Sequence, residues 1–142
     1  MDKTIRSLVR RYGSTDPFLL ARELGICVIY EELGSIRGYY NQQKRQKFIH
    51  INNRLSESQA RFTAAHELGH ALLHSKENVP FLRENTLFST NRLEVEANAF
   101  ALRLLLHDQK EESRDCSSSQ IAAMLGVDEK LLLRHYRNLF HI

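Results

Sequence analysis

Apolar residues Ile5, Leu8, Val9 and Tyr12 recur at the three- and four-residue spacing of a helix, and Gly13 ends the run. Asp16 followed by Pro17 predicts a second helix, with Asp as the cap and Pro in the first turn. Leu20, Ala21 and Leu24 continue it, and Gly25 stops it. Residues 26–30 (Ile-Cys-Val-Ile-Tyr) form a β-branched run that predicts a strand. Gly34 and Gly38 flank a turn region, and two further strands are expected over Arg37–Gln42 and Lys47–Ile51. Ser56-Glu57-Ser58-Gln59 fits a capping box and opens an amphipathic helix running to about His74. Residues 75–90, with Pro80 and many polar positions, read as a long loop with a helical turn. A second long helix is predicted from Asn91 to His107. The polar run Glu111–Ser119 reads as a flexible joint, and short helices follow near Ser119–Leu125 and Asp128–Leu139. Helices, a small sheet and helices again give an α+β class.

Composition narrows the picture. At 142 residues the chain suits one domain with a core, and is short for two. We expect a single domain over 1–142, with helices and sheet in 1–55, paired long helices in 56–107 and a helical segment in 108–142. The apolar content is 42% and the charged content 26%, which argues against wholesale disorder. A net charge of +3, with acids and bases interleaved, predicts a mixed surface and no direct nucleic-acid partner. Cys27 and Cys116 lack the spacing of a disulfide framework or a cysteine zinc site. Neither a signal peptide nor a membrane span is read from the sequence, so a cytoplasmic location is expected.

The chemistry concentrates in His66-Glu67-Leu68-Gly69-His70. Residues four apart share a helix face, so both imidazoles can address one Zn²⁺ per chain. Glu67 projects about 100° around the helix from His66 and flanks the metal as a base for the activated water. Leu68 points to the opposite side as a core anchor, and Gly69 implies close packing by another element. A shuffled chain of this composition would hold the pattern about 0.03 times, so the context has to add weight. A catalytic zinc needs a third protein ligand. On the second long helix, Glu94 shares a face with Ala97, Asn98, Ala101 and Leu105 and is read as inward. Glu96 falls with Arg92, Phe100 and Arg103 on a solvent-facing stripe. Glu94 is therefore chosen, with Asn98 one turn on as acceptor for a ligand imidazole N–H. His74 lies about 12 Å of rise from His66, too far for one zinc to bridge.

His66–His74 together with Glu94-Val95-Glu96-Ala97-Asn98-Ala99-Phe100-Ala101 resembles the ImmA/IrrE family of metallopeptidases. The similarity extends to Asp16-Pro17-Phe18, Leu24-Gly25-Ile26 and Ile49-His50-Ile51-Asn52. It implies a zincin-like, gluzincin-type fold with the small sheet packed on the HExxH helix. It also implies His66, His70 and Glu94 as zinc ligands and Glu67 as catalytic base. Such proteins act as anti-repressors, cleaving a helix-turn-helix repressor of a prophage or mobile element. One departure is visible: the second helix often ends in Met-Pro in that family, whereas Leu106 is followed here by His107-Asp108. The resemblance further suggests substrate held by strand addition along residues 47–51, and Tyr39, Tyr40 and His50 as candidates for oxyanion or substrate contacts.

Other readings compete. His107, His135 and His141 have no partners at ligand spacing and are expected to be solvated. The alternative function is a catalytically silent, metal-containing regulatory or DNA-binding module acting through the C-terminal helices. Ile121–Asp128 has the pattern that starts a helix-turn-helix, but Asp128-Glu129 would repel phosphates, so a helix closed by Gly126 is preferred. Leu131–Leu133 and Phe140 suggest surplus apolar surface for a docked partner.

Overall fold

The computed structural model describes residues 1–74, 82–83, 92–108 and 115–140. Helices α1 (Asp2–Tyr12) and α2 (Pro17–Glu23) lead into strands β1 (Cys27–Glu31), β2 (Ile36–Gln43) and β3 (Gln46–Asn52). Helix α3 (Glu57–Leu73) follows, then the short strand β4 (Leu82–Arg83) and helices α4 (Arg92–Leu105), α5 (Ser118–Leu125) and α6 (Glu129–Phe140). The class is α+β, as the pattern predicts. The expected loop over 75–90 contains β4, whose backbone pairs antiparallel with β2; the rest of that loop, Asn91, residues 111–114 of the expected joint and His141 lie outside the described residues.

The sheet order is β1-β3-β2-β4, with β1 parallel to β3 and β2 antiparallel to β3. This overturns the expectation that residues 47–51 offer a strand to a substrate. Strand addition needs an unpaired edge, and β3 is bonded on both sides. The hairpin register sets Tyr39 opposite His50 and Tyr40 opposite Ile49. Since side chains alternate along a strand, Ile49, Ile51, Gly38 and Tyr40 face α3, while Tyr39 and His50 face away.

Helix α3 is the centre of the molecule. Its capping box forms as the sequence predicts: Gln59 N–H donates to Ser56 Oγ and Ser56 N–H donates to Gln59 Oε1. The helix is not amphipathic, however. Every residue from Phe62 to Ala71 is buried, because the sheet, α2, α4 and α5 enclose it. The polar residues that make the sequence look two-faced point inward to one another. Two glycines let the neighbours come close. A Cβ on Gly38 would lie 2.5 Å from the His50 carbonyl oxygen and 2.7 Å from Thr63 Cγ2, so the sheet presses on α3 there. A Cβ on Gly69 would meet Phe100 atoms at 3.0–3.2 Å, which is the close packing that a glycine inside a helix implies.

The C-terminal helices add to the same core. Gly126 closes α5 in the left-handed conformation (φ 73°), and Asp128 Oδ1 accepts from Lys130 N–H at the start of α6. Leu131 and Leu132 are fully buried with Ile121 and Leu125, and only Leu133 of that trio is exposed. The surplus apolar surface expected there is thus largely consumed by the core, and the Phe140 side chain lies outside the described residues. His135 is also buried, contrary to expectation, since it shares the inward face of α6 with Leu131 and Leu132. Among the described residues no helix is long and apolar enough to cross a membrane.

Candidate metal centre

Helices α3 and α4 lie side by side, and their contact brings three buried side chains to one point. His66 Nε2 is 3.4 Å from Glu94 Oε2, and His70 Nε2 is 2.7 Å from Glu94 Oε1. One ligand atom from each residue lies within 4.8 Å of the other two. Tetrahedral ligands about 2.0–2.2 Å from a zinc are about 3.4 Å apart, so the cluster has the dimensions of a metal site. The donor set fits as well, because two imidazoles and a carboxylate suit a borderline divalent cation. Of the residues singled out from sequence, His66, His70 and Glu94 are together, and Glu67 sits beside them.

Electrostatics separate the two carboxyls. Burial pushes Glu94 up, but hydrogen bonding and charge from His66 and His70 outweigh it and hold its pKa at about 2. Glu67 goes the other way: burial first, then the Glu94 charge, raise it well above the ordinary carboxylate range. It is 1% exposed, and among the described residues neither of its oxygens has a hydrogen-bond partner. Such an uncommitted buried carboxyl is costly and is a mark of a group kept for a reactant. Burial lowers His70, with Glu94 pulling it up and His66 pushing it down.

Asn98 Oδ1 lies 2.7 Å from His66 Nδ1. An amide oxygen only accepts, so His66 Nδ1 carries the proton and its Nε2 keeps a lone pair for a cation. Tyr39, Tyr40 and His50 are not brought to this cluster. Tyr40 is buried in the core with its hydroxyl donating to Gln42 Oε1 at 3.3 Å. Tyr39 and His50 stack at 4.1 Å on the far face of the sheet. There His50 Nδ1 meets Glu31 and Nε2 meets Asn41. Strand alternation is the reason: a register that sends Ile49 and Ile51 to α3 sends His50 away from it.

The reading of α4 also needs correcting. Phe100 is fully buried against Gly69, and Glu96, set aside as solvent-facing, lies 3.4 Å from His74 Nε2. His74 in turn approaches His70, Nδ1 to Nδ1, at 3.2 Å. His74 is too far from His66 to share one ion with it, but its four-residue step from His70 is the signal that the two rings meet.

Comparison with known proteins agrees with this geometry. The sequence profile of the IrrE N-terminal-like domain matches residues 21–135. The chain is 40% identical over 131 residues to "Uncharacterized immunity region protein 2" of Bacillus phage phi105, covering 89% of this chain and 83% of that protein. It is 29% identical over 130 residues to "Metallopeptidase ImmA" of Bacillus subtilis (strain 168), covering 87% of this chain and 76% of that protein. A domain match over most of its length and these two relatives place the chain in the ImmA/IrrE family of metallopeptidases.

Proposed function

We propose that the chain is a zinc-dependent peptidase, acting as one catalytic domain of zincin-like, gluzincin-type construction, that cleaves a helix-turn-helix repressor of a prophage or mobile element. The observation that carries the chemistry is the buried, unpartnered Glu67 carboxylate beside the His66–His70–Glu94 cluster. In this reading His66, His70 and Glu94 hold one Zn²⁺, and Asn98 orients His66. When bound, the metal would supply Lewis acidity for the scissile carbonyl and the attacking water, whose pKa zinc can bring toward about 7. Glu67 takes the proton from the attacking water and returns it to the leaving amine nitrogen. Enclosure of α3 keeps these groups fixed and dry, which strengthens their electrostatics. The choice of repressor as substrate rests on the family resemblance, and the name of the phage relative, an immunity region protein, is consistent with a regulatory target.

The test is Glu67→Gln, assayed for zinc content and for cleavage of the repressor encoded alongside the gene. We expect stoichiometric zinc and no cleavage. Cleavage at the wild-type rate would overturn the role given to Glu67, and wild-type protein that cuts other proteins but spares that repressor would overturn the substrate.

A further inference from the structure

The surroundings of His70 differ from those of His66. Asn98 supports His66, but among the described residues the group behind His70 is another histidine. His74, the residue at which α3 ends, reaches back one turn so that its Nδ1 lies 3.2 Å from His70 Nδ1. On its other side, His74 Nε2 lies 3.4 Å from Glu96 Oε2, and Glu96 Oε1 is 3.0 Å from Arg92 Nε. His74 is 5% exposed, so water does not compete freely for its ring.

We propose that His74, anchored by Glu96, is the positioning residue that sets the tautomer and orientation of His70. The argument follows the direction of the hydrogen bonds. A carboxylate only accepts, so His74 Nε2 must donate to Glu96. In the tautomer with the proton on Nε2, His74 has a bare Nδ1, which accepts from His70 Nδ1–H. With its proton on Nδ1, His70 has a free lone pair on Nε2, the atom that faces Glu94. The reverse polarity would place the proton on His70 Nε2 and remove its ability to bind a cation. Arg92 Nε, 3.0 Å from Glu96 Oε1, holds that carboxylate in place, so the polarity is set from the surface inward. Thus α4 supplies Glu94 to both histidines, Asn98 to hold His66 and Glu96 to hold His70 through His74.

This inference rests on the proposal that His66, His70 and Glu94 bind the metal. Its test compares zinc affinity, by competition with a chromophoric chelator, for wild type, His74→Leu, His74→Gln and Glu96→Ala. Loss of a group that orients a metal ligand weakens binding about 10- to 100-fold. His74→Leu should fall in that range, and Glu96→Ala should lose less because Glu96 is 36% exposed and its contact is long. His74→Gln, whose amide oxygen can accept from His70, should stay close to wild type. A second readout is nitrogen-15 NMR of the zinc-loaded protein: a His70 Nδ1–H protected from solvent in wild type and exchanging freely in His74→Leu. Thermal melts of the zinc-free variants check that each folds. Unchanged zinc affinity and unchanged proton exchange in His74→Leu would overturn the positioning role alone. A wild-type chain that binds no zinc would sink the metal reading and this inference with it.

Discussion

Gly38→Ala is the sharpest test of how the sheet is seated on α3. The backbone at Gly38 does not adopt a positive φ, so alanine meets no conformational penalty, and its lower chain entropy in the unfolded state would favour folding. Space decides against it. The new methyl would lie 2.5 Å from the His50 carbonyl oxygen and 2.7 Å from Thr63 Cγ2. Carbon atoms pack best at about 3.5–4.0 Å, so the methyl contact is short by about 1 Å. Thr63 is 4% exposed and cannot swing aside, and the carbonyl belongs to the central strand. Overpacking costs about 1–3 kcal/mol, and contact with backbone puts this case at the upper end. At about 2–4 °C per kcal/mol for a chain near this size, the melting temperature should drop by roughly 5–10 °C. Urea denaturation of the zinc-free protein gives the free energy directly. Adding Thr63→Ala removes one of the two clashes and should recover part of the loss, a coupling that a double-mutant cycle measures. A Gly38→Ala protein as stable as wild type would refute the reasoning.

Other expectations can be checked with the same purified protein. Phe100→Ala should cost about 3–5 kcal/mol in denaturant melts, since the ring is fully buried between α4 and Gly69. Asn98→Ala should weaken zinc binding about 10- to 100-fold in chelator competition while leaving the helix content unchanged in circular dichroism. Burial first, then the charges of Arg134 and Arg103, lower the pKa of His135 below 6.5. The unfolded chain therefore takes up a proton that the folded one refuses, and stability falls as pH drops from 6.5 toward the lowered folded value. His135→Gln should show a shallower fall over that window in urea melts at several pH values; an identical slope in the two proteins would contradict it. Ser56→Ala should cost about 1 kcal/mol through loss of the α3 cap, read as a shift in the denaturation midpoint.

Local signals carried much of the fold. The Asp16-Pro17 start, the Ser56–Gln59 box and the β-branched runs act within a few residues, and the helices and strands lie where these motifs place them. The meeting of His66, His70 and Glu94 was also legible, because helical spacing orients all three once the two helices are paired. What the sequence hides is set by long-range partners. Strand order makes β3 interior, and nothing within residues 47–51 records that, whereas the alternation of His50 with Ile49 and Ile51 already sets His50 on the face opposite the apolar one. The pairing of His74 with Glu96 is hidden for the same reason: the two residues belong to different helices. The ring of Phe100 looked like part of a charged stripe because Arg92 and Glu96 share its neighbourhood, yet the missing side chain at Gly69 makes room for it. Leu131, Leu132 and His135 were misplaced because α6 returns to the main core, a contact that its own periodicity cannot reveal.

The enclosure of α3 on every side also bears on how activity could be retuned. From Phe62 to Ala71 no position faces solvent, so almost any change of volume there is felt by a neighbour. Adaptation to a new target would therefore enter through the surroundings of this helix, leaving its own residues nearly untouched. An engineer seeking altered specificity would do best to keep the helix fixed as a cassette and diversify the outer face of the sheet, where Tyr39 and His50 already present aromatic surface.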